Sequence, residues 1–155
     1  MNVSGVVFRP AVESDLPALI DMLASDPLGA QREQVQSPVN PAYVAAFKTI
    51  AADAANELIV ADLSQQVVAM LQVTTVQYLT HCGSRRATIE GVRVKEDFRG
   101  SGLGERLLEH AIESARSHGC HIVQLTCDKL RPDAIRFYQR MGFVATHEGM
   151  KLKLN

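Results

Sequence analysis

The sequence contains no tryptophan and only three cysteines among its 155 residues. Cys82, Cys120 and Cys127 are odd in number and show no CxxC spacing, so neither a disulfide framework nor a zinc site is predicted. A nucleophilic cysteine needs a lowered pKa and a base beside it. The sequence indicates neither, and we interpret the three cysteines as free thiols that act as small buried apolar residues.

An excess of charge of either sign is also missing, because 16 Lys and Arg stand against 17 Asp and Glu for a net charge of −1. This balance argues against bulk electrostatic binding along a nucleic acid. No apolar run reaches the ~20 residues that a membrane-spanning helix needs, and the first fifteen residues show no signal-peptide pattern. We therefore expect a cytoplasmic chain that binds neither nucleic acid nor membranes.

No repeat, low-complexity tract or long linker divides the chain, so a single domain over residues 1–155 is predicted. Apolar patterns predict strands and helices in a mixed order, which is typical of an α+β or mixed α/β fold. The predicted strands are 3–8, 57–62, 67–78, 87–94, 122–125, 143–145 and 150–154. The predicted helices begin near residues 14, 43, 102 and 132. Residues 25–41 are predicted to form a mobile connection, a candidate lid or specificity loop.

The most informative segment is Arg99-Gly100-Ser101-Gly102-Leu103-Gly104, between a predicted strand and a predicted helix. Its three alternating glycines remove side chains where the helix begins, so backbone N–H groups can approach an anion and the helix dipole adds partial positive charge. Arg99 adds a permanent cation suited to phosphate. The segment predicts a phosphate or pyrophosphate site; a glycine-rich helix start without a ligand is the weaker alternative.

Two familiar phosphate loops fit this segment poorly. A Walker A loop needs Gly-Lys followed by Ser or Thr, and that run is absent. A dinucleotide fingerprint would place its third glycine at Glu105, and residues 95–99 occupy the position of its tight turn. An oxidoreductase that binds NAD(P) here is therefore a less favoured alternative.

Four segments resemble, in order, the successive motifs of the GNAT (Gcn5-related) N-acetyltransferase family. They are Glu90-Gly91-Val92-Arg93-Val94, Phe98 to Gly104, Ala134-Ile135-Arg136-Phe137-Tyr138 and Met141-Gly142-Phe143. The resemblance is specific over residues 87–145. It implies an α+β fold with a central mixed, mostly antiparallel, splayed sheet flanked by about four helices. It also implies acetyl-CoA as co-substrate and no metal.

By this resemblance, acetyl-CoA would lie between the strands 87–94 and 121–127. Its pyrophosphate would rest on the glycine segment, and the backbone of Val92 and Val94 would pair with the pantetheine arm and polarise the thioester oxygen. One departure concerns an Asn that contacts pantetheine in many members; here Asp128 or Arg131 takes its place. The expected cofactor-binding residues are Val92, Arg93, Val94, Arg99, Gly100, Ser101, Gly102, Leu103, Gly104, Arg131, Phe137 and Tyr138.

Acetyl transfer to an amine needs a base for the amine and a proton for the departing thiolate. Glu90, an acid within a predicted central strand, is the candidate general base, and the alternative is an ion pair with Arg85, Arg86 or Arg93. Tyr138 matches a tyrosine that faces the CoA sulfur in many family members, and it is the candidate general acid.

The expected function is direct transfer of the acetyl group, in a ternary complex, to a primary amine of a small molecule. Segments 25–41, 79–86 and 146–150 would build the acceptor site, with Tyr78 and His81 among its lining residues. The alternatives are a non-catalytic acyl-CoA-binding sensor or interaction module, and a protein lysine or N-terminal acetyltransferase. A homodimer is expected only as a trait of many family members.

Overall fold

Five strands form one sheet, and their order in space is their order in the sequence. The computed structural model describes residues 3–154. The strands are β1 (Val7–Pro10), β2 (Asn56–Leu63), β3 (Gln66–Gln77), β4 (Arg85–Val94) and β5 (Ile122–Leu125). The helices are α1 (Leu16–Ala24), α2 (Pro41–Ala52), α3 (Thr80–Gly83), α4 (Leu103–Ser117) and α5 (Pro132–Arg140). All neighbouring strands are antiparallel except β4 and β5, which are parallel. The predicted mixed, mostly antiparallel sheet is confirmed.

An apolar layer lies on each face of the sheet because successive strand side chains point to opposite faces. In β2, Ile59 and Ala61 belong to the layer under α4, and Val60 between them belongs to the layer under α1. The α4 side is lined by the fully buried Leu103, Leu107, Leu108 and Ala111. On the other side, α1 buries Leu16, Leu19, Ile20 and Met22. The molecule therefore has three layers, with α1 and α2 opposite α4.

The cleft that concerns function opens where β4 and β5 separate. Their pairing ends at Ile89 and Leu125, whereas β4 continues to Val94. β4 also carries one extra residue, because Met70 pairs with Arg93 but Gln72 pairs with Glu90. Such a bulge increases the local twist and re-aims the backbone. Gly91 has a φ of +61° at this point, which glycine adopts without steric cost.

The predicted closing strands 143–145 and 150–154 are wrong, since residues 141–154 contain no strand in the structure. Most of their large apolar side chains are exposed, with Val144 at 77% and Met150 at 93%, whereas Phe143 is half-buried against the core. Local apolar spacing favours a strand, but a strand also needs a paired edge, and none of the five strands pairs with this segment. The segment runs along the surface instead.

The cysteine interpretation needs a smaller correction. Cys82 is exposed, and Cys120 and Cys127 are half-buried free thiols. Burial raises the pKa of both half-buried thiols, which makes them poorer nucleophiles at neutral pH.

No helix between residues 3 and 154 combines the length and the hydrophobicity needed to cross a membrane.

Candidate active site

The glycine segment forms the entry to α4 and has the geometry of an anion site. Gly100 and Gly102 have φ values of +74° and +79°, in the left-handed region. Gly102 is the N-cap of α4 and offers no side chain to cap it. Within residues 3–154 no hydrogen bond takes up the N–H groups of Leu103, Gly104 and Glu105. The first turn of this 15-residue helix therefore presents free donors and the positive end of its dipole.

The side chains around this entry hold the turn and leave its backbone accessible. The Ser101 hydroxyl donates to the carbonyl of Phe98 at 2.6 Å, and Leu103 is fully buried beneath the turn. Arg99 is exposed, with Nε 3.3 Å from the carbonyl oxygen of Val94. A Cβ on Gly104 would lie 3.6 Å from the ring of Phe137, so α5 packs closely against the start of α4.

The stretch of β4 beyond its last pair with β5 has an open edge, which is the requirement for pairing with an extended ligand. Val92 and Val94 lie there, on either side of Arg93. The carbonyl of Val92 accepts a hydrogen bond from Arg93 Nη1 at 2.8 Å, and the carbonyl of Val94 accepts the bond from Arg99. A ligand on this edge would share those carbonyls with the two arginines.

Tyr138 lies half-buried on α5, with its ring in edge contact with Phe137 and Phe143 at centroid distances of 5.2 and 5.9 Å. Burial, reinforced by Cys127 and opposed by the positive charges of Arg93 and Arg131, raises the pKa of Tyr138 to about 12. Its hydroxyl forms no hydrogen bond to any residue that the structure describes. The phenol is therefore protonated at neutral pH and free to donate.

Glu90 is exposed at the start of the open part of β4. Within the described chain Glu90 forms no ion pair, and the three arginines proposed as its partners are engaged elsewhere. Its negative charge contributes to the raised pKa of Tyr138, which places the two side chains in one neighbourhood.

A charged cluster beside these residues was missed by the sequence analysis. Asp26, which follows α1, lies 2.6 Å from Arg131 Nη2 and 3.5 Å from Arg93 Nη2 through the same oxygen, Oδ2. Its other oxygen accepts the N–H groups of Leu28 and Gly29 at 3.0 and 2.8 Å. Burial alone would raise the pKa of Asp26, but these N–H groups and the two arginines hold it below the ordinary value.

Burial has the opposite consequence for Arg93, whose side chain is only 13% exposed. Burial, followed by repulsion from Arg131, lowers the pKa of its guanidinium. The only sequence signal for this cluster is the Asp-Pro-x-Gly turn after α1, which indicates a turn and not an ion pair. The ion pair between Asp26 and Arg131 joins residues that are 105 positions apart in the sequence.

The segment 25–41 does border the cleft, as predicted, but its first part is closely packed. The buried Gly29 lies so near the carbonyl of Leu23 that a Cβ would overlap it. The Tyr43 hydroxyl then fixes the next turn, since it donates to Glu33 at 2.8 Å and accepts the N–H of Gln34. The turn that carries Asp26 is therefore held against α1, and the turn after it is held against α2.

The loop 79–86 is not part of this cleft. It lies where β4 begins, and at ~3.3 Å per strand residue it is about 20 Å from Glu90. His81 lines a separate hollow there with His121 and Ile122, and Tyr78 stacks under Arg86 at 4.9 Å. The prediction that Tyr78 and His81 line the acceptor site is wrong. These residues lie at the end of the sheet where β4 begins, and the cleft opens at the end where β4 and β5 separate.

The sequence matches the model of the acetyltransferase (GNAT) family over residues 18–143. Glucosamine 6-phosphate N-acetyltransferase 1 of Oryza sativa subsp. japonica is 31% identical over 131 residues, which cover 81% of this chain and 77% of that protein. The crystal structure of a transcriptional regulator from Bacillus halodurans C-125 has a TM-score of 0.93 at 52% identity, covering 96% of this chain and 99% of that one. A putative acetyltransferase from Agrobacterium tumefaciens has a TM-score of 0.84 at 28% identity, with the same coverage.

Proposed function

Because the chain belongs to the GNAT acetyltransferase family, we propose that it acetylates a primary amine of a small molecule by direct attack in a ternary complex. The predicted family and the predicted enzyme class, an acetyl-CoA-dependent N-acetyltransferase, are confirmed. The observation that carries the proposal is the meeting of three features in one cleft: free N–H donors, an open strand edge and an unbonded, protonated tyrosine.

The cleft fits acetyl-CoA by the chemistry of its donors. The left-handed Gly100 and Gly102 leave the first turn of α4 open for a pyrophosphate, with Arg99 at its edge. The β4 edge at Val92 and Val94 suits the extended pantetheine arm, and an N–H aimed at the thioester oxygen would stabilise the charge that acyl transfer builds there. When bound, acetyl-CoA supplies the activated acetyl group.

Tyr138 would act on the leaving sulfur. Its pKa of about 12 is well above the ~8.5 of an ordinary thiol. Full transfer of its proton to a thiolate is therefore unfavourable in this environment, whereas a hydrogen bond to the developing charge is favourable. We assign Tyr138 as a hydrogen-bond donor to the departing sulfur, which leaves as a thiolate.

Glu90 would take the proton of the acceptor amine, directly or through a water, since its carboxylate is exposed and forms no ion pair with any residue from 3 to 154. Glu90→Gln should lower kcat/KM about 100-fold or more near neutral pH, since a general base typically contributes about 10²- to 10⁴-fold. The loss should shrink as the pH approaches the pKa of the amine, because a free amine needs no base. A pH–rate profile checks this, and a loss that is constant with pH would remove Glu90 from the role.

A second candidate function is a non-catalytic acyl-CoA-binding sensor, because one similar solved structure is that of a transcriptional regulator. The protonated Tyr138 and the unpaired Glu90 favour turnover instead. A protein acetyltransferase is the other alternative.

The homodimer and the cytoplasmic location stay predictions. The exposed apolar side chains near the end of the chain offer a surface on which a second copy could pack; they are Val144, Met150, Leu152 and Leu154.

Thiol release from acetyl-CoA, measured with a panel of small primary amines and with lysine-containing peptides, tests the proposed acceptor class. Small amines should give the higher kcat/KM, with intersecting initial-velocity plots for a ternary complex. Higher values for the peptides would favour protein acetylation, and acetyl-CoA binding without release on any amine or peptide would favour the sensor.

A further inference from the structure

We propose that the acceptor amine also carries an oxyanion, either a carboxylate or a phosphate or phosphonate, and that the side chains of Arg93 and Arg131 bind it. This inference rests on the proposed function, because it names the class of amine that the same cleft would accept. It gives these two arginines a role toward the acceptor, whereas the backbone of Arg93 keeps its place on the strand edge.

The charges at this point do not balance. Arg93 and Arg131 share one oxygen of Asp26, and the other oxygen of that carboxylate is taken up by two backbone N–H groups. A third cation, Arg32, lies near enough for its charge to act on Arg93. The next acid along the same segment, Glu33, accepts a hydrogen bond from the Tyr43 hydroxyl. One carboxylate therefore serves two partly buried guanidinium groups, and a second anion would complete the cluster.

The hydrogen-bond donors are also incompletely used. Arg93 donates Nη1 to the carbonyl of Val92, and its Nε is buried without a partner in the part of the chain that the structure describes. A buried donor without an acceptor is costly and uncommon in proteins. The side chain of Arg131 makes a single described hydrogen bond, through Nη2. Guanidinium groups bind carboxylate and phosphate through paired donors, so both arginines retain the donors that such a ligand needs.

The cluster lies beside the reacting groups and on the acceptor side of the sheet. Arg93 and Arg131 both act on the ionisation of Tyr138, as does Glu90. Arg93 reaches Asp26 after α1, on the face opposite α4, so its side chain points away from the helix entry that would hold the pyrophosphate. An acceptor with its amine at Glu90 and its anion at the arginines would have opposite charges at its two ends, matching the site.

Matched amine pairs that differ in the anion test this inference on the whole chain. They are ethanolamine and phosphoethanolamine, glucosamine and glucosamine 6-phosphate, and alanine amide and alanine; the last pair separates carboxylate from phosphate binding. At saturating acetyl-CoA, the anionic member of at least one pair should have a kcat/KM about 10- to 100-fold higher, mainly through KM, as expected for charge-assisted hydrogen bonds.

Arg131→Gln should lower the kcat/KM of the anionic amine about 10-fold or more relative to that of its neutral partner, so that most of this preference is lost, when both are measured at acetyl-CoA concentrations that saturate the variant. Arg136→Gln is the matched control, because Arg136 is exposed on α5, five residues after Arg131, and pairs with Asp133. Asp26→Asn keeps an oxygen for the N–H groups of Leu28 and Gly29 but removes the competing charge. It should lower the KM of the anionic amine about threefold or more, for the same electrostatic reason.

The outcomes separate this inference from the function on which it rests. Equal or better turnover of the neutral amines in all three pairs overturns the inference and leaves the N-acetyltransferase function intact. A raised KM in Asp26→Asn, with an unchanged melting temperature, also overturns it, because the cluster would then be purely structural. No thiol release with any amine, although acetyl-CoA raises the melting temperature, overturns both.

Discussion

Gly102→Glu should abolish measurable acetyl-CoA binding, with a loss of affinity of at least about 100-fold. Two effects combine. A non-glycine residue at a φ of +79° costs about 1–2 kcal/mol, which favours a shift of the turn. The added carboxylate would lie at the free N–H groups of the first turn of α4, where it would neutralise the site and repel a pyrophosphate, together with the neighbouring Glu105.

Gly119→Glu is the matched control for this substitution. Gly119 also has a left-handed φ, +72°, and a Cβ there has open space, but it follows the opposite end of α4. The control should lose a similar amount of stability and retain acetyl-CoA binding in calorimetric titration. If Gly102→Glu binds acetyl-CoA as the unmodified protein does, the pyrophosphate is not held at this helix entry.

Tyr138→Phe should lower kcat about 10- to 100-fold while the affinity for acetyl-CoA stays within about twofold. The ring contacts with Phe137 and Phe143 survive in the variant, so only the hydroxyl is lost. A hydrogen bond to a developing charge contributes about 1.5–3 kcal/mol, and the stated range corresponds to most of that interval. Since burial raises the Tyr138 pKa to about 12, its ionisation should not limit the rate of the unmodified protein until the pH nears that value.

The control for this prediction is Tyr78→Phe, which makes the same change beneath Arg86 and about 20 Å from the cleft. It should leave kcat and the CoA affinity unchanged. A kcat of Tyr138→Phe equal to that of the unmodified protein would remove the hydroxyl from the chemistry. Weaker acetyl-CoA binding with an unchanged kcat would instead place Tyr138 in cofactor binding alone.

The glycine segment and the helix that follows it could be predicted from the sequence because their cause is local. Alternating glycines before an amphipathic run determine where α4 begins, and the structure places its N-cap at Gly102. The bulge of β4 could not be predicted, since it exists only relative to the register of β3. The same limit applies to residues 143–154, whose apolar spacing suits a strand although none of the five strands pairs with them.

The charged cluster shows why the acceptor side is harder to predict than the cofactor side. Asp26, Arg93 and Arg131 come from three elements, and each is an ordinary surface residue type in its own segment. The close packing of Gly29 against α1 positions Asp26 near the two arginines. A single glycine in a turn does not predict such a contact from the sequence. The loop 79–86 was misplaced for a related reason, because its distance from Glu90 depends on the direction in which β4 runs.

The most direct test of the central claim is transfer of an isotopically labelled acetyl group from acetyl-CoA to an amine. The cleft predicts that the label appears as an amide on a small primary amine, with one free thiol released for each amide formed and no labelled adduct left on the protein. Thiol release that yields labelled acetate and no labelled amide, with every amine tested, would contradict the account.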